Sequence, residues 1–211
     1  KYEDCHSAIE FFLTKELGDL GKKVHTGRSR NDQVMVAMRL FAKANLADFK
    51  KINKKIAKTF LSLAKKYENI PMPGYTHLQR AMPSSWGLWF SSYAECLIDD
   101  VLYLNTAFKI NDQNPLGSAA GYGSSFNIDR DYTTKELGFN ELKYNVVSSQ
   151  MSRGKVEKSV AIAIGSIAST LSKLSSDICF YMSQELNFIS FPEQITTGSS
   201  IMPHKKKSEV L

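Results

Sequence analysis

One stretch limits the fold of this chain more than any other. From Asn31 to Glu68 there is no proline and no glycine, and apolar residues recur at spacings of three and four: Val34, Met38, Phe41, Phe49, Ile52, Ile56, Phe60, Leu63 and Tyr67, with Asn45 interrupting the stripe. That period belongs to one face of an α-helix. At a rise of about 1.5 Å per residue such a helix runs on the order of 55 Å. A helix of that length cannot bury its stripe inside a small globule, so it needs a bundle or another copy of the chain to pack against.

The remaining punctuation supports a helical reading. A first helix is expected over 4–17, ended by Gly18 or Gly21, followed by a loop carrying His25 to Ser29. Pro71-Met72-Pro73-Gly74 closes the long helix. A second long helix is predicted over 83–113, with Trp86, Phe90, Tyr93, Leu97, Val101, Leu104 and Phe108 as its stripe, stopping at Asn114-Pro115. A loop of small residues, Leu116 to Ser125, follows, and Asp129 is placed to cap a short helix over 130–137 closed by Gly138. A third long helix is predicted over 148–187. Its middle, Val160 to Leu171, is apolar or small all round, which points to a central position in a bundle. With no strand-like alternation and no repeat, the expected class is all-α, a long central helical bundle. Residues 1–30 read as the end of an amino-terminal helical domain and 31–211 as a central long-helix bundle domain.

Charge and composition narrow the function. The net charge of +6 suits anionic ligands. Lysines 50, 51, 54, 55, 58, 65 and 66 alternate with apolar positions, which reads as a solvated helix face, and no aromatic stacking platform accompanies them; nucleic acid is not an expected partner. No apolar run approaches the length of a membrane span, and no segment reads as a signal peptide. Cys5, Cys96 and Cys179 are widely spaced in helical patterns and read as small buried hydrophobes of a reducing, cytoplasmic compartment. His6, His25, His77 and His204 lack zinc-ligand spacing, and Gly117 to Gly123 lacks the strand, helix and Lys-Ser/Thr context of a phosphate loop. No metal and no cofactor is expected.

Three segments carry chemistry. Gly198-Ser199-Ser200-Ile201-Met202-Pro203-His204-Lys205 joins a stretch rich in backbone N–H groups to a cation six residues beyond Ser199, a means of holding an anion beside a serine oxygen. Thr26-Gly27-Arg28-Ser29-Arg30-Asn31-Asp32-Gln33 and Gly74-Tyr75-Thr76-His77-Leu78-Gln79-Arg80 precede it. In this order the three resemble the argininosuccinate lyase family of the fumarase/aspartase superfamily, over nearly the whole chain.

The resemblance implies β-elimination: argininosuccinate splits into arginine and fumarate as a proton leaves the carbon beside a carboxylate and the carbon–nitrogen bond breaks. Such a carbon–nitrogen lyase needs a base, positive charge around the carboxylate, and an acid for the leaving nitrogen. By the resemblance, Ser199 is the catalytic serine and Lys205 stabilises the charged carboxylate. His77 serves proton transfer or its support. Thr76 and Gln79 bond a substrate carboxylate or orient the imidazole, although Gln79 also reads as a structural loop amide. Ser29, Arg30 and Asn31 match substrate contacts, while Ser29, Asn31 and Asp32 would also favour a helix start on their own account. Arg28 reads as structural. Arg153, followed by Gly154-Lys155, is a further candidate contact.

Lys207 stands where the family has an asparagine. The glutamate that pairs with the family's histidine would fall beyond Leu211, so the chain reads as an internal fragment or truncated form with little activity of its own. The resemblance further implies a homotetramer. Since Arg30 and His77 flank the long helix, the active site would be shared between copies. Two other readings stay open at this point: a lyase for a related amino-succinyl substrate, and a non-catalytic, crystallin-like structural homologue.

Overall fold

The computed structural model describes residues 2–198, residues 201 and 202, and the backbone of residues 206–208. Helix dominates it. Helix α1 is Cys5–Leu17, α2 Asp19–Lys22, α3 Arg30–Lys66, α4 Trp86–Asn111, α5 Arg130–Glu136, α6 Val146–Met151 and α7 Lys155–Tyr181. The strands are short: β1 Pro71–Thr76, β2 Gln79–Ser85, β3 Gln113–Asn114, β4 Glu141–Leu142, β5 Thr196–Gly198 and β6 Lys206–Ser208. They form three two-stranded pairs, β1 with β2, β3 with β4, and β5 with β6.

The chain divides into two compact units, residues 1–53 with 101–163 and residues 54–100 with 164–211. In the first, Met35, Val36, Leu46, Leu104, Ala107, Phe139, Leu142, Val156 and Ala163 are buried. Polar ties cross this core. Arg39 is buried and donates to the Gln113 carbonyl at 2.6 Å and to Ser152 Oγ at 2.6 Å. Burial lowers its pKa, and Glu157 counteracts this. Lys43 pairs with Asp112 at 2.5 Å and lies over the rings of Phe108 and Phe139.

The second unit is built on aromatic contacts. Trp86, Trp89, Phe90, Tyr93 and Tyr181 form one cluster, with Trp89 and Tyr181 ring centres 5.7 Å apart. Inside it the Trp89 indole N–H and the Tyr93 hydroxyl both donate to Asp177 Oδ2, at 2.9 and 2.7 Å. Burial first, and then the bond to the Asp177 carboxylate, push the Tyr93 phenol well above its ordinary pKa. Asp100, also buried, accepts from Ser166 and Thr170 and so links α4 to α7.

Sequence and structure agree on α1, on the uninterrupted α3, and on the α5 cap, where Asp129 accepts from the Tyr132 N–H. They differ in several places. The second long helix begins at Trp86, because residues 71–85 form an antiparallel hairpin. Prolines disguised it: Pro73 and Pro83 face each other, a pairing a two-stranded ribbon tolerates because neither residue has an N–H to lose. The third long helix is two helices, broken at Ser152–Gly154, where Gly154 has φ +80. The first half of the α3 stripe is also not a buried face. Asp32, Met35, Val36, Arg39, Leu46, Asn53 and Ala57 are buried, whereas Met38, Phe41, Phe49 and Ile52 are exposed in the single chain. In its second half the stripe turns inward, with Phe60 and Tyr67 against Phe90. Likewise α7 buries one face, Val156, Ala163, Ile167 and Leu174, and leaves Ile162 exposed. The three cysteines are free and exposed, since each falls on an outward position of its helix.

Candidate active site

In the first unit the candidate contacts gather at the start of α3. Ser29 caps the helix: its Oγ accepts the Asn31 N–H at 3.2 Å and its carbonyl takes the Gln33 N–H. Asp32 reaches back to the Ser29 N–H at 2.8 Å, the acidic half of a capping box. Arg153 brings Nη1 to 3.5 Å from Asn31 Oδ1 across the unit, so two residues far apart in sequence meet.

Arg30 is placed differently from the expectation that it stands ready for a substrate carboxylate. Its guanidinium is already engaged. It pairs with Glu3 at 3.2 Å and with Asp4 at 3.1 Å, and donates to Ser7 Oγ at 2.8 Å. These acids raise its pKa, Glu3 foremost. Asp4 also caps α1 by accepting the Ser7 N–H. That bond foremost lowers its own pKa, against an opposing desolvation and with a lesser contribution from the charge of Arg30. The pairs are exposed and screened by solvent, so an incoming carboxylate can compete for the fork.

Asp32 is the residue sequence reading undervalued. It is 0% exposed, and its second oxygen accepts the N–H groups of Gly117 and Ala119 at 2.9 and 3.0 Å. Gln150 closes the same loop from the other side, donating to Ser118 Oγ at 3.0 Å and to the Ala119 carbonyl at 2.9 Å. Arg130 fixes its base through the carbonyls of Leu116, Lys143 and Tyr144. Burial lowers the pKa of both Arg28 and Arg130, and the charge of Asp32 opposes this in each.

In the second unit Thr76, His77 and Gln79 occupy the tip of the β1–β2 hairpin. Thr76 pairs with Gln79, leaving His77 and Leu78 as the two turn residues. Both have positive φ, 51 and 60, a geometry usually given to Asn-Gly. A left-handed His-Leu pair carries strain on the order of 1–2 kcal/mol per residue, the kind that persists where a side chain has a task. All four tip residues are exposed. The stem is anchored by Tyr75, whose ring meets Phe180 edge-on at 5.3 Å and approaches Tyr181 and Phe188.

Ser199 and Lys205 lie outside the described residues. Their sequence neighbours Gly198 and Lys206 pair across the antiparallel β5–β6 ladder, with Thr197 opposite Lys207.

Comparison with known proteins shows the family. A family model described as Lyase matches residues 2–207. The chain is 54% identical over 208 residues to argininosuccinate lyase of Phocaeicola vulgatus, covering 99% of this chain and 47% of that protein. It is 47% identical over 210 residues to argininosuccinate lyase of Xanthomonas campestris, covering 100% of this chain and 49% of that protein. The chain therefore spans about half the length of the curated relatives it matches. Among solved structures it is similar to EDDS lyase in complex with formate, with a TM-score of 0.88 and 26% identity over 93% of this chain and 39% of that one. A fumarate lyase:delta crystallin of Brucella melitensis shares the fold, with a TM-score of 0.77 at 23% identity.

Proposed function

This chain belongs to the lyase family of the fumarase/aspartase superfamily, and we propose on that premise that it works within an argininosuccinate lyase, releasing fumarate from argininosuccinate in arginine biosynthesis. The observation that carries the reading is the 54% identity to an argininosuccinate lyase across 99% of the chain, which takes in all three motifs together.

In this proposal Ser199 removes the proton from the carbon beside a succinyl carboxylate, and Lys205 with the neighbouring N–H groups stabilises the charge that gathers there. His77 moves or supports the proton that the leaving nitrogen needs. Thr76 and Gln79 bond a carboxylate or hold the imidazole. Ser29, Asn31 and Arg153 receive carboxylates at the start of α3, where the helix terminus itself favours an anion. Arg30 joins them by exchanging Glu3 for substrate. The enzyme is cytoplasmic and assembles as a homotetramer, with Arg30 and His77 of one active site drawn from different copies. The outward apolar face of α3 is consistent with that assembly.

The test is fumarate release, followed by its ultraviolet absorbance, in the whole protein that carries this chain. Ser199→Ala is expected to abolish turnover while argininosuccinate still binds, because the serine acts only as the C–H bond breaks. A wild-type protein that leaves argininosuccinate intact would sink the proposal. A panel of amino-succinyl substrates then examines the second reading, which the likeness to EDDS lyase favours.

A further inference from the structure

We infer that Asp32 is a positioning residue for substrate binding, one that ties the substrate-contact strip Ser29–Asn31 to the loop of residues 116–121 through a single buried carboxylate. This deepens the argininosuccinate lyase reading and rests on it.

A helix cap alone does not account for Asp32. Serine, threonine or asparagine satisfies a helix terminus with one oxygen, at no cost of burying a charge. Asp32 is instead a carboxyl group with no solvent exposure, and its two oxygens serve two different segments. Oδ1 takes the Ser29 N–H at 2.8 Å, whereas Oδ2 takes the Gly117 and Ala119 N–H groups at 2.9 and 3.0 Å. An acceptor-only group is the one side chain that meets three N–H donors without turning a donor of its own against them. The loop in turn requires a strong hold. Gly117 has φ +83 and Ala119 has φ +50, the latter a left-handed conformation that an alanine leaves when it is released. Charge-assisted bonds to one oxygen keep both residues there.

The consequence is alignment. Ser29 Oγ bonds the Asn31 N–H, and Asn31 Oδ1 stands 3.5 Å from Arg153 Nη1. Moving Ser29 therefore moves the polar set proposed to receive substrate. Asp32 never touches the substrate in this arrangement.

The experiment compares wild type, Asp32→Asn and Gln150→Ala in the whole protein, measuring kcat and KM for argininosuccinate together with the melting temperature. Asp32→Asn turns an amide N–H₂ toward backbone donors and is expected to raise KM about tenfold or more, with a smaller change in kcat. Gln150→Ala loosens the same loop without touching Ser29, and is expected to lower the melting temperature while leaving KM in place. A lowered melting temperature with unchanged KM in Asp32→Asn would overturn the inference. If Asp32→Asn does not fold, amide hydrogen exchange in the wild type decides. The Ser29, Gly117 and Ala119 amides should slow together when fumarate is added, and the inference fails if Ser29 slows alone or none does. Absence of cleavage by the wild type would overturn the functional proposal and this inference with it, whereas cleavage with KM unmoved by Asp32→Asn removes only the inference.

Discussion

Gly117 shows how tightly single residues are held around the start of α3. Its φ of +83 suits glycine, and a Cβ added there would lie 2.9 Å from Arg130 Cγ. Arg130 has little freedom to yield, since its guanidinium donates to three carbonyls. Gly117→Ala is expected to destabilise the protein by about 1–3 kcal/mol, read as a lower urea midpoint at unchanged slope. A midpoint equal to that of wild type would show that the loop relaxes freely. At this scale, local partners were legible in the sequence and distant ones were not. Ser29 and Asp129 lie a few residues from the N–H groups they cap, so their spacing announces them. The Gly117 partner of Asp32 lies 85 positions away, and the Glu3 partner of Arg30 lies 27 positions away. No pattern along the chain reveals such bonds.

Among the elements, the β1–β2 hairpin departs most from a purely helical reading, and its tip holds the strain. Leu78 is exposed with φ 60, where glycine pays no steric penalty. Leu78→Gly is therefore expected to leave stability unchanged or raise it by up to about 1 kcal/mol. Leu61→Gly, on an exposed turn of α3, is expected to cost about 1 kcal/mol. Thermal melting of the two variants checks the contrast, and an equal loss in both would remove the strain argument. The hairpin was hidden because Pro71, Pro73 and Pro83 mimic the ends of helices, and because its residues do not alternate in polarity. α3 was easy to find, yet the buried face of its first half was not. Periodicity identifies the helix but not which of two faces turns inward when Asp32, Arg39 and Asn53 occupy the buried one.

For the whole molecule, the outward face of α3 sets an expectation about assembly. Phe41 is 66% exposed, and Met38, Phe49 and Ile52 extend the same surface. Phe41→Glu in the whole protein is expected to shift the sedimentation profile toward smaller species, with the helical circular-dichroism signal retained. An unchanged profile would place the contact elsewhere. The chain's two tryptophans also have a use beyond packing. Trp86 and Trp89 both sit in the aromatic cluster of the second unit, and Trp89 is bonded to Asp177 there. Fluorescence excited selectively at tryptophan therefore views residues 54–100 and 164–211 and is blind to the unit that carries Ser29, Asn31 and Asp32. Circular dichroism views the helices of both. Denaturation curves from the two signals coincide when the units melt as one and separate when they do not, so the placement of two indoles lets an unlabelled sample report whether the chain unfolds in one step or two.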